Sequence, residues 1–206
     1  MIGDSVTSIG DGAFAWCDSL TSIVIPDSVT SIGDGAFAWC GSLTSVVIGN
    51  SVTSIGNRAF MDCRSFTSIT VADANTAYKS VDGNLYTKDG KTLIQYAVGK
   101  TDTSFTIPNS VTAIGDVAFY GCSGLTSVVI PDSVTMIDSY AFYRCDSLAS
   151  VTIGNRVTSI GDYAFAHCYR LIDVYYTGTE AEWAAIDVGW SNEKLTGATI
   201  HYNYVP

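Results

Sequence analysis

Six cysteines and two histidines carry most of the reactive chemistry in this 206-residue chain, and their spacing limits what they can do. Cys17, Cys40 and Cys63 stand 23 residues apart, and Cys122, Cys145 and Cys168 resume the same interval. Zinc sites and disulfide frameworks use short, uneven spacings of the Cys-x-x-Cys kind. One cysteine at the same place in every repeat predicts instead a column of small buried thiols. Their Cβ atoms would lie about 4.8 Å apart, beyond the separation a disulfide bridges. Bridged or metal-bound cysteines are the competing reading. His167 adjoins Cys168, but sequence neighbours rarely make a nucleophile–base pair, and His201 falls in the last strand-like stretch. No Gly-x-Ser-x-Gly, phosphate loop or paired His-Glu motif occurs. The expectation is a non-enzyme with no catalytic residues, no cofactor and no metal ligands. Asp11, Asp34, Asp116 and Asp162 form a second column, interrupted by Asn57 and Ser139. Calcium between coils is one reading of it; aspartates that start turns by hydrogen-bonding the backbone are the simpler one.

These columns exist because the chain repeats itself. Val6, Val29 and Val52 keep the 23-residue step, and so do Val111, Val134 and Val157. Each repeat carries an apolar string such as Leu20-x-x-Ile23-x-Ile25 or Leu148-x-x-Val151-x-Ile153, whose last three positions alternate like a short strand with one inward face. Pro26, Gly49, Pro131 or Gly154 ends it, and Asp or Asn shapes a turn. Gly33 then provides a bend, and Asp34 opens a short turn or helical piece carrying Ala36 and Phe37. A period in this range with such a core marks a leucine-rich solenoid. One coil cannot cover its own apolar side, so stability must come from stacking.

The repeat resembles that of the BspA-like leucine-rich-repeat family, which carries the same Ile-Pro-x-x-Val-x-x-Ile-Gly-x-x-Ala-Phe-x-x-Cys-x-x-Leu string. Residues 26–43 and 131–148 reproduce nearly all of it, with Asp138 where the pattern has Gly. The resemblance implies a bacterial or protozoan surface or secreted protein, extracellular in location, that serves adhesion to host proteins or other cells.

The expected fold is a β-rich α/β solenoid, a right-handed leucine-rich-repeat superhelix with short parallel strands at about eight strand positions. One domain is expected over residues 1–206, with N-terminal repeats at 2–74 and C-terminal repeats at 102–176. Between them, 75–101 is read as an inserted β-hairpin, since Lys88-Asp89-Gly90-Lys91 separates two short apolar runs and Asp82-Gly83 marks a turn just before. Residues 177–206 are read as a terminal cap. There Thr179 and Glu182 form a capping box for a short helix bearing Trp183 and Ile186, and a last strand lies within 195–200.

The net charge of −10 and the scatter of ten basic residues argue against nucleic acid as a partner. No apolar run is long enough to insert into a membrane, and no signal peptide is visible ahead of the repeats. A protein ligand, such as a host matrix or cell-surface protein, is the expected partner. Its candidate surface is the outward, concave face of the strands, including Ser22, Val24, Ser45, Val47, Thr70, Val129, Thr152, Asp173 and Tyr175. The alternative is that these small residues serve only strand propensity and stacking. Repeat sequence begins at Ile2, so the first coil should expose apolar atoms. Ile2, Trp16 and Trp39 are candidates for self-association through that end, unless further repeats precede it. Aromatic packing over the turns is the other reading of the two tryptophans.

Overall fold

The computed structural model describes residues 2–206, and the chain divides into two compact units, Met1–Lys100 and Thr101–Pro206. In the first unit the strands are β1 (Ser8–Ile9), β2 (Ser22–Ile25), β3 (Ser31–Ile32), β4 (Ser45–Ile48), β5 (Ser54–Ile55), β6 (Ser68–Val71), β7 (Tyr78–Val81), β8 (Asn84–Thr87) and β9 (Thr92–Gln95). Each coil contributes one four-residue and one two-residue strand. The longer ones pair in parallel as β2-β4-β6 and the shorter as β1-β3-β5. Register is in steps of 23: Ser22 lies opposite Ser45, and Ser45 opposite Ser68. Alternation fixes which face is inward. Ile23 and Ile25 are buried while Ser22 and Val24 are exposed.

The second unit repeats the plan with β10 (Ser104–Thr106), β11 (Ala113–Ile114), β12 (Ser127–Ile130), β13 (Met136–Ile137), β14 (Ser150–Ile153), β15 (Ser159–Ile160), β16 (Asp173–Tyr176), β17 (Asp187–Val188) and β18 (Thr199–His201). Here β10-β12-β14-β16-β18 form one parallel row, and β11-β13-β15-β17 run parallel in order as the other. The strands of the two long-strand rows number eight among the described residues, as the sequence suggests. Each unit is thus a β-solenoid stack. Its core is a set of columns, with Phe37 over Phe60 at 5.6 Å and Phe142 over Phe165 at 4.9 Å between ring centroids.

The segment after each short strand is a run of turns, not a helix. Two residues in it, four apart, take left-handed φ in every repeat: Gly12 and Trp16, Gly35 and Trp39, Arg58 and Asp62, Val117 and Gly121, Tyr140 and Arg144, Tyr163 and His167. That geometry points backbone groups at the adjacent coil. Phe14, Gly12 and Trp16 donate their N–H groups to Ala36, Asp34 and Ala38 of the next coil.

Gly33 acts differently from the bend expected of it. A Cβ there would stand 2.4 Å from Asp11 Oδ1 and 2.5 Å from Asp11 N. Gly56, Gly161 and Gly189 meet the preceding coil equally closely. Glycine is required because two backbones touch, and the contact lets the aspartate of one coil cap the next. Asp11 Oδ1 accepts the N–H of Asp34 at 2.8 Å, Asp34 Oδ1 that of Asn57 at 2.7 Å, and Asp162 Oδ1 that of Trp190 at 2.7 Å. The aspartate column therefore ties coil to coil. Asp138, which replaces the glycine, turns its carboxylate to the N–H of Ser139 instead.

The cysteines form the expected column within each unit, all six being free thiols. Four of the five buried ones have a specific job, Cys145 Sγ donating to Phe119 O at 3.3 Å. Cys40 Sγ donates to Phe14 O at 3.0 Å, Cys63 to Phe37 O at 3.1 Å, and Cys168 to Phe142 O at 3.1 Å. A small donor is needed there to satisfy a buried carbonyl of the preceding coil. Burial pushes the Cys63 thiol up to about 12 and raises Cys122 and Cys145 as well.

The inserted segment is an antiparallel meander, β7-β8-β9, with one more hairpin than the Lys88–Lys91 signal implies. Its first turn covers the open edge of β6: Ile69 N donates to Gly83 O and Val71 N to Ser80 Oγ. Buried Asn75 fills the gap behind it, donating to Gly49 O and Val52 O and accepting from Ala77 N and Tyr78 N. In the second unit, α1 (Glu180–Ala184) carries the expected capping box. The bonds from Thr179 hold the Glu182 carboxyl below its usual range, so this cap persists until pH falls through that lowered value. A second short helix, α2 (Glu193–Thr196), takes up Leu195 at the start of the stretch expected to hold the last strand, and the strand itself is β18, Thr199–His201. Buried Asn192 plays the role of Asn75 there, joining Gly161 O, Gly189 O and the N–H of Phe165.

Two outcomes check this account. Gly33→Ala should destabilise the fold by about 1–3 kcal/mol in urea denaturation, whereas Gly41→Ala, whose Cβ would meet nothing nearer than 3.7 Å, should change it by less than about 0.5 kcal/mol. In the folded protein a thiol reagent should modify half-buried Cys17 far faster than the five buried cysteines, and all six should react once the chain is unfolded.

Candidate partner-binding faces

The residues that a partner could touch are those left over once stacking is satisfied. On the β2-β4-β6 row, outward positions are Ser22 and Val24, Ser45 and Val47, Ser68 and Thr70. Parallel register lines them up as a Ser column beside a Val-Val-Thr column. Val24 is 55% and Val47 37% exposed, a small apolar strip with no charge on it. The structure brings the five candidates Ser22, Val24, Ser45, Val47 and Thr70 onto one face.

On the second row, Val129, Thr152 and Tyr175 stand in register, with His201 completing the column at β18. Asp173 is in the neighbouring column, in line with Ser150 and Thr199. Its carboxylate pairs with His201 Nε2 at 2.8 Å. Tyr175 stacks on His201 at 4.8 Å and meets Tyr204 at 4.7 Å. Tyr175 and Asp173 are candidates from the sequence, whereas His201 and Tyr204 emerge as their neighbours only in the structure. The 23-residue step breaks at the cap, so no periodic signal placed them there. Alongside this column runs a groove of about 1050 Å³, lined among others by Val129, Thr152 and residues 204–206.

The turns carry aromatic columns of their own. Trp16 stacks on Trp39 at 4.6 Å, and Trp16 remains 65% exposed. Tyr120 stacks on Tyr143 at 4.9 Å, and His167 meets both Tyr143 and Tyr169 edge-on. Packing over the turns therefore accounts for Trp39, while the outer ring face of Trp16 lies open. Ile2 lines an apolar cavity of about 630 Å³ with Val6, Ile9, Phe14, Leu20 and Ile23, the open side of the first coil. His167 Nδ1 shares a short hydrogen bond with Tyr169 Oη, and Cys168 beneath it is buried and bonded to Phe142 O, so the two neighbours do not face each other. Among the described residues no three of His, Cys, Asp and Glu are grouped as metal ligands would be. No helix among them is long and apolar enough to cross a membrane.

Solved structures share this architecture. A leucine rich cell surface protein of Faecalibacterium prausnitzii is 33% identical, with a TM-score of 0.71 over 90% of this chain and 61% of its own. The pneumococcal vaccine antigen PcpA is 18% identical, with a TM-score of 0.70 over 98% of this chain and 61% of its own. A leucine-rich repeat protein of Eubacterium ventriosum is 22% identical, with a TM-score of 0.57 over 89% of this chain and 70% of its own. The chain thus spans about three fifths of the length of the first two. No curated protein matches the sequence. The BspA type leucine rich repeat region matches six times, over residues 1–84 and 96–183. With that match across most of its length and the same coil repeated in both units, the chain belongs to the BspA-type leucine-rich-repeat family.

Proposed function

We propose that this chain is a non-enzymatic adhesion module, displayed at a cell surface or secreted, that binds a protein partner through the outward faces of its long-strand rows. The observation that carries the reading is the composition of those faces. The inward positions are consumed by stacking, yet exposed Val24 and Val47 in the first unit, and half-buried Tyr175 beside His201 and Tyr204 in the second, remain on the outward faces. Outward apolar and aromatic side chains on such strand rows suit a protein contact, with the aromatics as anchors. Leucine-rich solenoids serve generally in protein interaction, and the 33%-identical relative is described as a cell surface protein. In this reading residues 1–206 act as one repeat domain.

A second reading rests on the cavity beside Ile2 and the open ring of Trp16. Those surfaces fit self-association of two chains through their first coils, making the protein a structural scaffold.

Binding of the purified chain to a panel of host matrix proteins tests the first reading. A matrix protein should be retained, and a combined Val47→Glu and Tyr175→Ala variant that keeps its circular dichroism should lose at least about tenfold in affinity. Retention unchanged by these substitutions, or no retention of any matrix protein, contradicts it. Sedimentation separates the second reading: dimers that dissociate on Trp16→Ala support the scaffold, and a monomer at high concentration removes it.

A further inference from the structure

The open face of the first coil carries a pattern of backbone groups that selects what can lie on it. A repeat coil has three sides: a short strand, a run of turns and a long strand. On the short-strand side a coil gives N–H groups to the coil before it, Thr30 N to Thr7 O and Gly33 N to Ile9 O at 2.8 Å each. On the turn side it gives carbonyls instead, Asp34, Ala36 and Ala38 accepting from Gly12, Phe14 and Trp16. In the first coil the matching N–H groups of Thr7 and Gly10, and the matching carbonyls of Ala13 and Ala15, have no partner among the described residues. Along the long strands, Ser68 N donates to Thr44 O and Ala72 N to Ile48 O. Parallel bonds are evenly spaced, so β6 turns the groups of Ser68 and Thr70 toward β4. By the same register β2, which pairs only with β4, turns those of Ser22 and Val24 to the open edge.

A second copy of this chain, turned over by a two-fold axis lying in the face, supplies a partner for each of these groups. An axis through the corner at Asp11 and the middle of β2 exchanges the short-strand side with the turn side. The N–H groups of Thr7 and Gly10 then meet the partner's Ala15 and Ala13 carbonyls. The same axis lays β2 antiparallel on the partner's β2. With Ile23 opposite its own copy, Ser22 and Val24 exchange hydrogen bonds with the partner's Val24 and Ser22, and inward residues stay inward. The apolar cavity of about 630 Å³, lined by Val6, Ile9, Phe14 and Leu20, is closed by the same side chains of the other chain. Gly10 points to a backbone as the occupant. A Cβ there would meet nothing within 4 Å of its own chain, whereas at Gly33 it would strike the backbone of the adjacent coil. The Asp11 carboxylate is turned away from the axis, to Asp34 N. Exposed Asp4 and Asp18, at the other two corners, approach each other across it.

We infer that two copies pair through their first coils in this two-fold arrangement, and that the pairing joins their outward faces into one. The inference rests on the self-association reading and adds its partner geometry and its use. Each three-stranded row, β2-β4-β6, continues through β2 into the row of the other chain. The strip of Val24 and Val47 then runs unbroken across the axis, with Ser22 and Val24 of both chains at its centre. A protein ligand meets one wide face instead of two narrow ones. An isologous contact of this kind closes at two chains, and it occupies an edge that would otherwise pair indiscriminately.

The test is sedimentation equilibrium of the full chain together with disulfide cross-linking. A single monomer–dimer equilibrium is expected, and it should tighten at least about twofold from about 0.05 to about 0.5 M salt, as the Asp4–Asp18 repulsion is screened. Val24→Pro removes an N–H that points out of the chain's own sheet, so the circular dichroism should be kept while the dimer Kd rises at least about tenfold. In a Cys17→Ser background, a Ser22→Cys chain mixed with a Val24→Cys chain should be linked by oxidised glutathione faster than either chain alone, because directly opposed residues lie within disulfide range. A chain that stays monomeric overturns both this pairing and the self-association beneath it. Dimers unaffected by Val24→Pro, or linked no faster in the mixture, leave self-association standing and overturn the arrangement. An open series of trimers and longer species does the same, since it marks head-to-tail stacking.

Discussion

Two backbones touch wherever a repeat glycine passes over the aspartate of the coil before it, and the rest of each unit follows from that contact. A Cβ at Gly33 or Gly161 would collide with atoms 2.4–2.5 Å away. Because none is there, the carboxylate of one coil reaches the N–H of the next. The same close approach brings thiol under carbonyl and ring over ring. Each coil thereby satisfies polar groups that a lone coil would leave buried and unpaired. Hydrophobic burial supplies most of the driving force, at about 1.5–3 kcal/mol per large side chain, but these polar ties fix the step at 23 residues. A slip of one residue would turn every inward Ile and Val outward.

Where the ladder is interrupted, the chain substitutes other devices for the missing coil. Between β6 and β9 a meander covers the strand edge, and Asn75 takes over four backbone groups. Near the end of the second unit Asn192 does the same with help from α1 and α2. Edges left bare would invite pairing with other chains. The stack is thus closed by hydrogen bonds at its irregular points, and its surface chemistry is free to vary there. Tyr175, His201 and Tyr204 cluster at one such point, beside the groove lined by Val129 and Thr152.

Much of this was legible in the residues. Like side chains at equal spacing gave the strand rows, the thiol column and the outward faces, because a period in sequence becomes a column in space. The capping box at Thr179 and the turn at Asp89-Gly90 were local signals and were equally readable. Three things were not. The glycine requirement is a contact between coils, invisible to turn rules that consider one segment alone. Left-handed φ at Val117 and Tyr163 defies residue preference, being imposed by the neighbouring coil's carbonyls. Asn75, Asn192 and Tyr204 lie outside the period, so nothing in the repeat announces their partners.

Registration of like residues over like is the claim on which fold, faces and groove all depend, and nuclear Overhauser contacts between coils measure it most directly. Ring-to-ring contacts of Phe14 with Phe37 and of Phe37 with Phe60, together with methyl contacts of Val24 with Val47, are the result expected. Contacts displaced by one residue, pairing Phe37 with neighbours of Phe60 and Val24 with Val46 or Ile48, would contradict it.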